Sequence, residues 1–395
     1  MPELPIEESE RNPESAACPI ATGCGGCARI AEPYAKQLAW KTERVRAALA
    51  RYEVLGGVEI EPCIAAPEPW RYRNRAKLAV ADSDGVVRLG LYRRGTNRIV
   101  DLAPCVVQRP VLQGGLESVR KWLASRRLAA PAGPVFYVDL REMTGGRFHA
   151  TFVVAERDER AAQIRFDELR AMCPEVGGIA VNLGNPDSSY PIGMTTRGVS
   201  GGDTFDAPFP DGRGGVTSFA VPVSGFFQVA TSLLPEVHRR MREHLGDDGV
   251  LYDLYCGVGV HGLMIEKDRG GTSAGIVGVE ESTPACGAAR TNAERLGIPA
   301  RYLAGRVEDL LSASLAEQPA TRLVLNPGRS GCKPRVLEAV GEIAGARVAY
   351  LSCNPDTLAR DLAVLSVERG LRTRRVTPLD LMPQTDHVEA LALLS

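Results

Sequence analysis

The segment Ser352-Cys353-Asn354-Pro355 holds the residue of this sequence best suited to covalent chemistry. It follows a strand-like run at 347–351. Because ligands bind at the carboxyl ends of the strands in an open α/β sheet, we expect Cys353 at a ligand site. A cysteine thiolate is strongly nucleophilic near neutral pH. The alternative is a cysteine that only packs, since free cysteines are often buried.

A glycine-rich turn follows the predicted strand at 250–254 and precedes a helix from about Val260. Gly257 and Gly259 in this turn would let the backbone approach a cofactor closely. The next predicted strand, 275–280, ends at Glu280. An acid about 20 residues after such a turn is placed to bind a ribose diol. S-adenosylmethionine, which carries a ribose but no diphosphate, is the cofactor we expect here.

Strands and helices alternate from about residue 249 onward, which predicts an α/β fold with a Rossmann-like sheet. A helix is predicted at 283–296, and further strands are predicted near 300–304, 322–325, 347–351, 373–378 and 387–393. Asn326 closes one of these strands, as Cys353 closes another. Packing could explain each polar residue separately, but it does not explain why they converge on one edge of the sheet.

A cluster of cysteines lies near the start of the chain. Cys18, Cys24 and Cys27 form C-x5-C-x2-C, and Cys105 is the candidate for a fourth thiolate. Four thiolates suit either zinc or an iron–sulfur cluster, and the spacing does not separate the two. The alternative is a set of unrelated cysteines.

Four cations alternate with other residues in the first half, at Arg71, Arg73, Arg75 and Lys77. On a strand, a period of two places all four on one face. Such a face suits contact with RNA phosphates, although it could equally be a solvated charged surface. Residues 57–225 as a whole are predicted to be mainly β.

The composition limits the class of protein. A chain of 395 residues with 44% hydrophobic residues predicts two or three globular domains. The formal net charge of −1 means that any nucleic acid must be bound by a local patch. No apolar run is long enough for a membrane span, and the polar N-terminus does not have the pattern of a signal peptide, so a cytoplasmic protein is expected. Ten cysteines in such a chain favour metal binding or catalysis over disulfides.

The motifs together resemble the RNA uridine-5-methyltransferase family from about residue 18 to 395. They occur in family order: Phe226-Phe227-Gln228-Val229, Asp253-Leu254-Tyr255-Cys256-Gly257-Val258-Gly259, Ser352-Cys353-Asn354-Pro355 and Pro383-Gln384-Thr385-Asp386-His387-Val388-Glu389. The sequence is most similar to the short iron–sulfur members that modify 23S ribosomal RNA and lack an N-terminal RNA-binding barrel.

This resemblance implies a role for each matching residue. Cys353 would add to C6 of a uridine in RNA, and Glu389 would remove the C5 proton. The S-adenosylmethionine site would be formed by Gln228, Tyr255, Gly257, Gly259, Glu280 and Asn326. A [4Fe-4S] cluster would be held by Cys18, Cys24, Cys27 and Cys105. The expected organisation is a disordered tail at 1–15, an iron–sulfur and RNA-binding region at 16–220 and a methyltransferase domain at 221–395, in a monomer.

Some positions depart from the family pattern. Gly328 follows Asn326-Pro327 where proline is common, His261 stands where phenylalanine is common, and Ala230 stands where asparagine is common. These differences leave the acceptor open. The alternatives are a methyltransferase for a transfer-RNA uridine, an exocyclic amine or a free nucleoside, and a noncatalytic RNA-binding protein.

Overall fold

The computed structural model describes residues 18–102, 104–188, 190–267, 269 and 273–395, so the tail predicted at 1–15 lies outside the described residues. The helices are α1 (Tyr34–Leu49), α2 (Pro110–Ser125), α3 (Phe166–Met172), α4 (Leu234–Leu245), α5 (Val260–Lys267), α6 (Thr283–Leu296), α7 (Val307–Glu317), α8 (Pro334–Gly341) and α9 (Pro355–Arg369). The strands are β1 (Glu59–Ile60), β2 (Arg75–Ser83), β3 (Val86–Tyr92), β4 (Ile99–Asp101), β5 (Val135–Met143), β6 (Arg147–Ala155), β7 (Val176–Gly184), β8 (Thr195–Ser200), β9 (Thr204–Pro210), β10 (Val216–Pro222), β11 (Leu251–Leu254), β12 (Ile276–Glu280), β13 (Ala300–Ala304), β14 (Arg322–Leu325), β15 (Arg347–Ser352), β16 (Thr373–Leu379) and β17 (Glu389–Leu394).

The C-terminal half is built on an eight-stranded sheet in the order β1, β16, β17, β15, β14, β11, β12, β13. β17 runs antiparallel to β15 and β16, and the other neighbouring strands are parallel. The strand order reverses between β11 and β14. Such a reversal opens a crevice at the carboxyl ends of the strands, which is where ligands bind in open α/β sheets.

Both faces of this sheet are covered, which explains why its central strands are apolar throughout. Every residue of β11 and β14 is buried. One face packs against a cluster that includes α4, α5 and α6, and the other packs against α1, α7, α8 and α9. Parallel sheets buried on both sides read as continuous hydrophobic runs.

Two helix starts position polar residues at the carboxyl edge. The Asn354 side chain accepts a hydrogen bond from the Asp356 amide at 3.1 Å, and Pro355 occupies the first turn of α9. Ser282 caps α6 in the same way, accepting from the Ala285 amide at 3.4 Å. These caps end β15 and β12 with sharp turns, so the residues just before each helix face the crevice.

The first half contains a seven-stranded sheet in the order β4, β3, β2, β5, β6, β7, β8, antiparallel except for the parallel pair β6–β7. Its core contains Trp122 of α2, which packs edge-on against Phe152 with ring centroids 5.1 Å apart. The hairpin of β9 and β10 instead contributes Phe209 and Phe219 to the core beneath α4 and α6.

The predicted fold class is confirmed: a Rossmann-like sheet follows a mainly β first half. The helix at 283–296 and the strands at 300–304 and 322–325 have the predicted bounds. The division at residue 220 stays a prediction, and β1 and α1 from before that point join the C-terminal sheet. Within the described ranges, no helix combines the length and the apolar character that crossing a bilayer requires.

Candidate active site

A cavity of about 630 Å³ opens at the carboxyl edge of the eight-stranded sheet. Its lining brings together residues predicted from widely separated motifs: Gln228, Tyr255, Gly257, Glu280, Asn326, Cys353 and Glu389. The cavity lies at the point where the strand order reverses, because its lining includes the residues that follow β11 and β14. Its position therefore agrees with the site expected from topology.

The polar residues of the cavity follow the order of the strands that carry them. Glu280 ends β12, Tyr255 follows β11, Asn326 follows β14, Cys353 follows β15 and Glu389 begins β17. Neighbouring strands lie about 4.8 Å apart, so the ends of β12 and β15, three spacings from each other, are separated by roughly 14 Å. The cavity thus has a ribose-binding end at Glu280 and a reactive end at Cys353 and Glu389.

Glu280 is fixed by the backbone of the glycine turn. Its carboxylate accepts a hydrogen bond from the Gly257 amide at 3.0 Å and another from the Ser282 amide at 2.8 Å. A carboxylate has about four lone-pair sites, so the oxygens can still accept from two hydroxyls. This arrangement fits the diol of a ribose.

The turn itself depends on unusual backbone conformations. Tyr255, which lines the cavity, has a φ of 62°, a left-handed conformation that is uncommon for a bulky residue. Gly259 has a φ of 83°, and a Cβ there would lie 2.7 Å from the Tyr302 hydroxyl. Gly259 therefore shapes the turn, but it is not among the described residues that line the cavity.

Cys353 and Glu389 meet because β17 runs antiparallel to β15. Ser352 pairs with Ala390 across the two strands, which brings the first residue of β17 beside the residue after β15. Burial raises the pKa of the half-buried Cys353 thiol, the Glu389 carboxylate raises it further, and Arg329 opposes both. Glu389 is only 7% exposed, and burial raises the pKa of its carboxyl to about 8.

Arg329 is a site residue that the sequence motifs did not assign. It lines the cavity and lowers the pKa of both Cys353 and Glu389, against the larger effect of burial. Its backbone carbonyl accepts from the Asn354 side chain at 3.0 Å. Its position after Asn326-Pro327-Gly328, just beyond the end of β14, was the available signal.

The loop that carries Gln228 is held by the seven-stranded sheet. Asn74 donates through its side chain to the Gln228 carbonyl at 2.9 Å, and Arg141 donates to the Gly225 carbonyl at 2.7 Å. Phe226, between these anchors, lines the cavity while its side chain remains 66% exposed. The mouth of the cavity therefore presents an aromatic ring to solvent.

The loop before Glu389 is gripped by α1, a feature that the sequence did not reveal. Gln37 and Gln384, both fully buried, exchange hydrogen bonds: the Gln37 amide donates to Gln384 Oε1 at 2.9 Å, and the Gln384 backbone amide donates to Gln37 Oε1 at 3.0 Å. One turn along, Lys41 pairs with Asp380 at 2.5 Å, and both side chains are buried. These contacts fix the segment that leads into β17.

The four cysteines predicted to bind metal come near one another. Cys27 and Cys105 pack against one small cluster with Tyr72, and burial, Cys105 and Cys24 together raise the pKa of the Cys27 thiol to about 12. Cys18 in turn acts on the pKa of Cys24. Across the described ranges, however, no set of three or more histidine, cysteine, aspartate or glutamate side chains is arranged to hold a metal ion. All ten cysteines are free thiols.

Comparison with known proteins adds the family. The profile of the family described as tRNA (Uracil-5-)-methyltransferase matches residues 306–395. An uncharacterized RNA methyltransferase of Gloeobacter violaceus is 33% identical over 406 residues, covering 99% of this chain and 85% of the relative. One of Geobacter sulfurreducens is 31% identical over 390 residues, covering 96% of this chain and 76% of the relative. The chain belongs to the same RNA methyltransferase family as these relatives.

A solved structure agrees with this family on the fold. The Pyrococcus abyssi tRNA (uracil-54, C5)-methyltransferase, solved with S-adenosyl-L-homocysteine, superposes with a TM-score of 0.72 at 21% identity. The match covers 94% of this chain and 86% of that one. At this identity the likeness shows that the two proteins share an architecture.

In this RNA methyltransferase, the four cations predicted to face RNA do not form one uniform strand face. Burial does alternate as predicted, with Tyr72, Asn74 and Ala76 buried between them. The strand, however, begins only at Arg75, and Arg71 has a left-handed φ of 54°. Arg75 is also neutralised, because it pairs with the buried Asp139 at 2.6 Å.

Arg73 is placed differently. Its guanidinium is close enough to act on the pKa of His387 and of three cysteine thiols, although burial is the largest influence on each: Cys24, Cys27 and Cys105. No hydrogen bond or ion pair of this guanidinium occurs among the described residues. Arg73 therefore leaves a positive charge between the cysteines and the reactive end of the cavity.

Proposed function

We propose that this protein transfers the methyl group of S-adenosylmethionine to C5 of a uridine in RNA, through a covalent bond between Cys353 and C6 of the base. The observation that carries the proposal is the shared cavity, in which Cys353 and Glu389 lie at one end and Glu280 lies at the other. A nucleophile, a carboxylate and a ribose-binding acid are the set that this reaction needs.

The residues divide the reaction between them. Uracil C5 is a poor nucleophile until a thiolate adds to C6 and converts the ring into an enolate. Cys353, having lost its proton to solvent, would form this bond. C5 would then take the methyl group from the sulfonium of S-adenosylmethionine, whose S–CH3 bond breaks to leave S-adenosylhomocysteine. Glu389 would remove the C5 proton, and the electron pair released would expel the Cys353 thiolate and restore the C5–C6 double bond. Arg329 favours both charged forms by lowering the pKa of each group.

The Glu280 end of the cavity fits S-adenosylmethionine. Glu280, pinned by two backbone amides, would accept from the ribose hydroxyls, and Tyr255 and Gln228 would line the remaining wall. Bound there, the cofactor would supply an electrophilic methyl group. The roughly 14 Å between the strand ends that carry Glu280 and Cys353 suits a nucleoside joined to a short chain.

An RNA substrate is supported by the surroundings of the cavity mouth. A base must leave its stack before a thiolate can reach C6, and a displaced base stacks favourably on an exposed aromatic ring. Phe226 offers such a ring. Arg73, whose guanidinium has no ion pair with any residue that the structure describes, offers a positive charge near His387 for a phosphate.

Substitution of two neighbouring arginines separates RNA binding from folding. Arg73→Ala should weaken RNA binding and reduce the dependence of affinity on salt by about one ion, because one phosphate contact is lost. Arg75→Ala should instead lower the free energy of unfolding by about 1–3 kcal/mol, because it removes one of the two arginines that pair with the buried Asp139 while Arg141 remains. Burial alone would raise the pKa of Asp139, but Arg141 and Arg75 hold it at about 2.

Filter binding at several salt concentrations and thermal unfolding of both variants measure these effects. Equal losses of RNA affinity in the two variants, with equal stability, would contradict the division of roles.

The acceptor we propose is 23S ribosomal RNA, because the motifs are most similar to those of the short members that modify this RNA, and transfer RNA is the second candidate. The family profile that matches residues 306–395 carries tRNA in its name, which is the ground for this second candidate. Nucleoside mass spectrometry of each RNA, from a strain lacking the gene and from its parent, distinguishes the two. Loss of 5-methyluridine from one RNA identifies the acceptor, and unchanged 5-methyluridine in both overturns the proposal.

We also propose that Cys18, Cys24, Cys27 and Cys105 hold a [4Fe-4S] cluster. The donor chemistry fits and the sulfurs influence one another's pKa, but their present arrangement is not that of a metal site. Protein purified without oxygen should be brown and contain about four irons per chain. Cys105→Ser should lose most of the iron, whereas Cys63→Ser, a half-buried cysteine elsewhere, should keep it. One zinc per chain would refute the cluster.

A further inference from the structure

A turn outside the cavity carries three arginines that have no acidic partner. The turn between β3 and β4 contains Arg93, Arg94 and Arg98, and all three side chains are exposed. Among the residues that the structure describes, none of these guanidiniums forms an ion pair or a hydrogen bond. The sequence between Asp84 and Asp101 contains no aspartate or glutamate. The turn is therefore a local patch of positive charge on a chain whose net charge is −1.

The shape of this turn is fixed by its own backbone. The Arg93 amide donates to the Arg98 carbonyl at 2.8 Å, and the Thr96 amide donates to the Arg93 carbonyl at 2.9 Å. Gly95 has a φ of 71°, a left-handed conformation that glycine adopts without strain. Because the backbone is already ordered, a partner would not have to order it on binding.

An aromatic ring stands beside these charges. Tyr92 ends β3, and its side chain is 49% exposed. An open groove of about 610 Å³ is lined by residues 91–97 and by Gly25 and Gly26 of the cysteine segment, residues 18–32. Arginine binds phosphate, and a base stacks on an exposed ring, so the combination suits single-stranded RNA. The ring favours RNA over an acidic protein, whose carboxylates would match the charges alone.

The cysteine segment joins the turn to the reactive end of the cavity. Near its middle, a Cβ on Gly25 would lie 3.1 Å from the Tyr92 carbonyl oxygen. Farther along, the Arg29 amide donates at 2.9 Å to the carbonyl of Gln384, in the loop before Glu389. A chain spans at most about 3.5 Å per residue, so the turn lies within roughly 40 Å of Glu389. A stacked RNA strand covers this distance with about a dozen nucleotides.

We propose that the turn between β3 and β4 is a second RNA-binding surface, which holds single-stranded RNA that flanks the target uridine. This inference rests on the proposed function and narrows its substrate class, because only an RNA strand long enough to reach both surfaces would use the turn. Phosphates of the flanking strand would lie against Arg93, Arg94 and Arg98, and one base would stack on Tyr92. The turn would thereby lower KM for RNA without taking part in the chemical step.

Removal of the three charges should weaken the binding of long RNA. The triple variant Arg93→Ala, Arg94→Ala, Arg98→Ala should bind a uridine-containing single strand of about 30 nucleotides about 10–100-fold more weakly at low salt. The slope of log affinity against log salt concentration should fall by about 2, since each phosphate contact on a single strand contributes about 0.7. A strand of about five nucleotides is too short to reach both surfaces, and its affinity should change by less than about 3-fold. KM for 23S ribosomal RNA should rise while kcat stays near that of the parent.

Two further triple variants separate RNA binding from loss of charge or of fold. Lysine at positions 93, 94 and 98 keeps the charges and should retain the salt slope. Alanine at three other exposed arginines, which form no ion pair within the described ranges, removes the same charge from or beside β6, β7 and β8 and should change RNA affinity by less than about 3-fold. These arginines are Arg147, Arg170 and Arg197. Thermal unfolding checks that each variant is folded.

The ring is tested separately. Tyr92→Ala should weaken binding of the long strand by about 5–50-fold, whereas Tyr92→Phe keeps a stacking surface and should bind as the parent does. An unchanged salt slope in the alanine variant of the turn, or an equal loss in the control variant, would overturn the inference, and the turn would then suit an acidic protein instead. Absence of methyl transfer by the unaltered protein would refute the proposed reaction, whereas a salt slope that still depends on the turn would uphold the RNA-binding surface.

Discussion

Cys353→Ala should reduce methyl transfer by a factor on the order of 10⁴ or more, because the covalent route through C6 is lost with the nucleophile. The alanine removes only one sulfur from the reactive end, so the Glu280 end should bind S-adenosylhomocysteine as before. A single-turnover assay with labelled cofactor measures the first effect, and calorimetry measures the second.

Cys63→Ala is the matched control for this variant. Cys63 is also a half-buried free thiol, but it does not line the cavity, and burial raises its pKa to about 12. Its replacement should leave turnover unchanged. Residual turnover above about one-hundredth in Cys353→Ala would mean that the reaction proceeds without the covalent bond.

Glu389→Gln should slow turnover by about 10²–10⁴-fold and should also change its character. Formation of the bond between Cys353 and C6 does not require Glu389, whereas removal of the C5 proton does. The variant should therefore accumulate a covalent protein–RNA complex that survives denaturing electrophoresis. The double variant with Cys353→Ala should form none, and a free RNA band in Glu389→Gln alone would assign the base elsewhere.

Glu389→Gln should also be more stable than the parent protein, by a margin that grows as the pH rises. The folded pKa of Glu389, about 8, lies above its ordinary value of 4.5, so the folded state retains a proton that the unfolded state loses. The stability that this protonated carboxyl contributes is complete below pH 4.5 and is lost progressively up to about pH 8. Glutamine stays neutral throughout. The thermal midpoint of Glu389→Gln should thus exceed that of the parent by more at pH 8 than at pH 5, and a constant difference would contradict the buried position.

The pH dependence of turnover should have the opposite sense. Glu389 must be ionised to act as a base, and Cys353 must be a thiolate, so the rate should rise with pH through about 8. Burial raises both pKa values, so the stability that these two groups contribute falls over the pH range in which turnover rises.

The sequence predicted which residues lie at the carboxyl ends of the strands better than it predicted the contacts that hold them there. Apolar strands and capped helices follow local rules, and Asn326 and Cys353 could therefore be assigned to strand ends. The spacing of Gly257, Gly259 and Gly262 is also found in dinucleotide-binding turns. The turn alone therefore could not identify S-adenosylmethionine, and this prediction depended on the wider set of motifs.

Long-range pairs had no local signal. The exchange of hydrogen bonds between Gln37 and Gln384 joins residues 347 positions apart, and neither residue stands out in the sequence. Arg75 shows the same limit, because alternation predicted its face while its partner Asp139 was invisible. Tertiary contacts decide which cations are paired with an acidic residue, and the alternation of residues along a strand does not reveal these contacts.

Two elements from the start of the chain complete the C-terminal sheet, since β1 pairs with β16 and α1 packs against the helices on one face. A fragment that began at residue 221 would leave the buried Asp380 without Lys41 and the buried Gln384 without Gln37. If related enzymes exchanged halves, the hybrid would therefore fold only where the two residues of each pair, one from each half, still matched. The chain is better described as one catalytic unit in which an early strand and an early helix complete the later sheet than as an independent enzyme with an attached RNA-binding module.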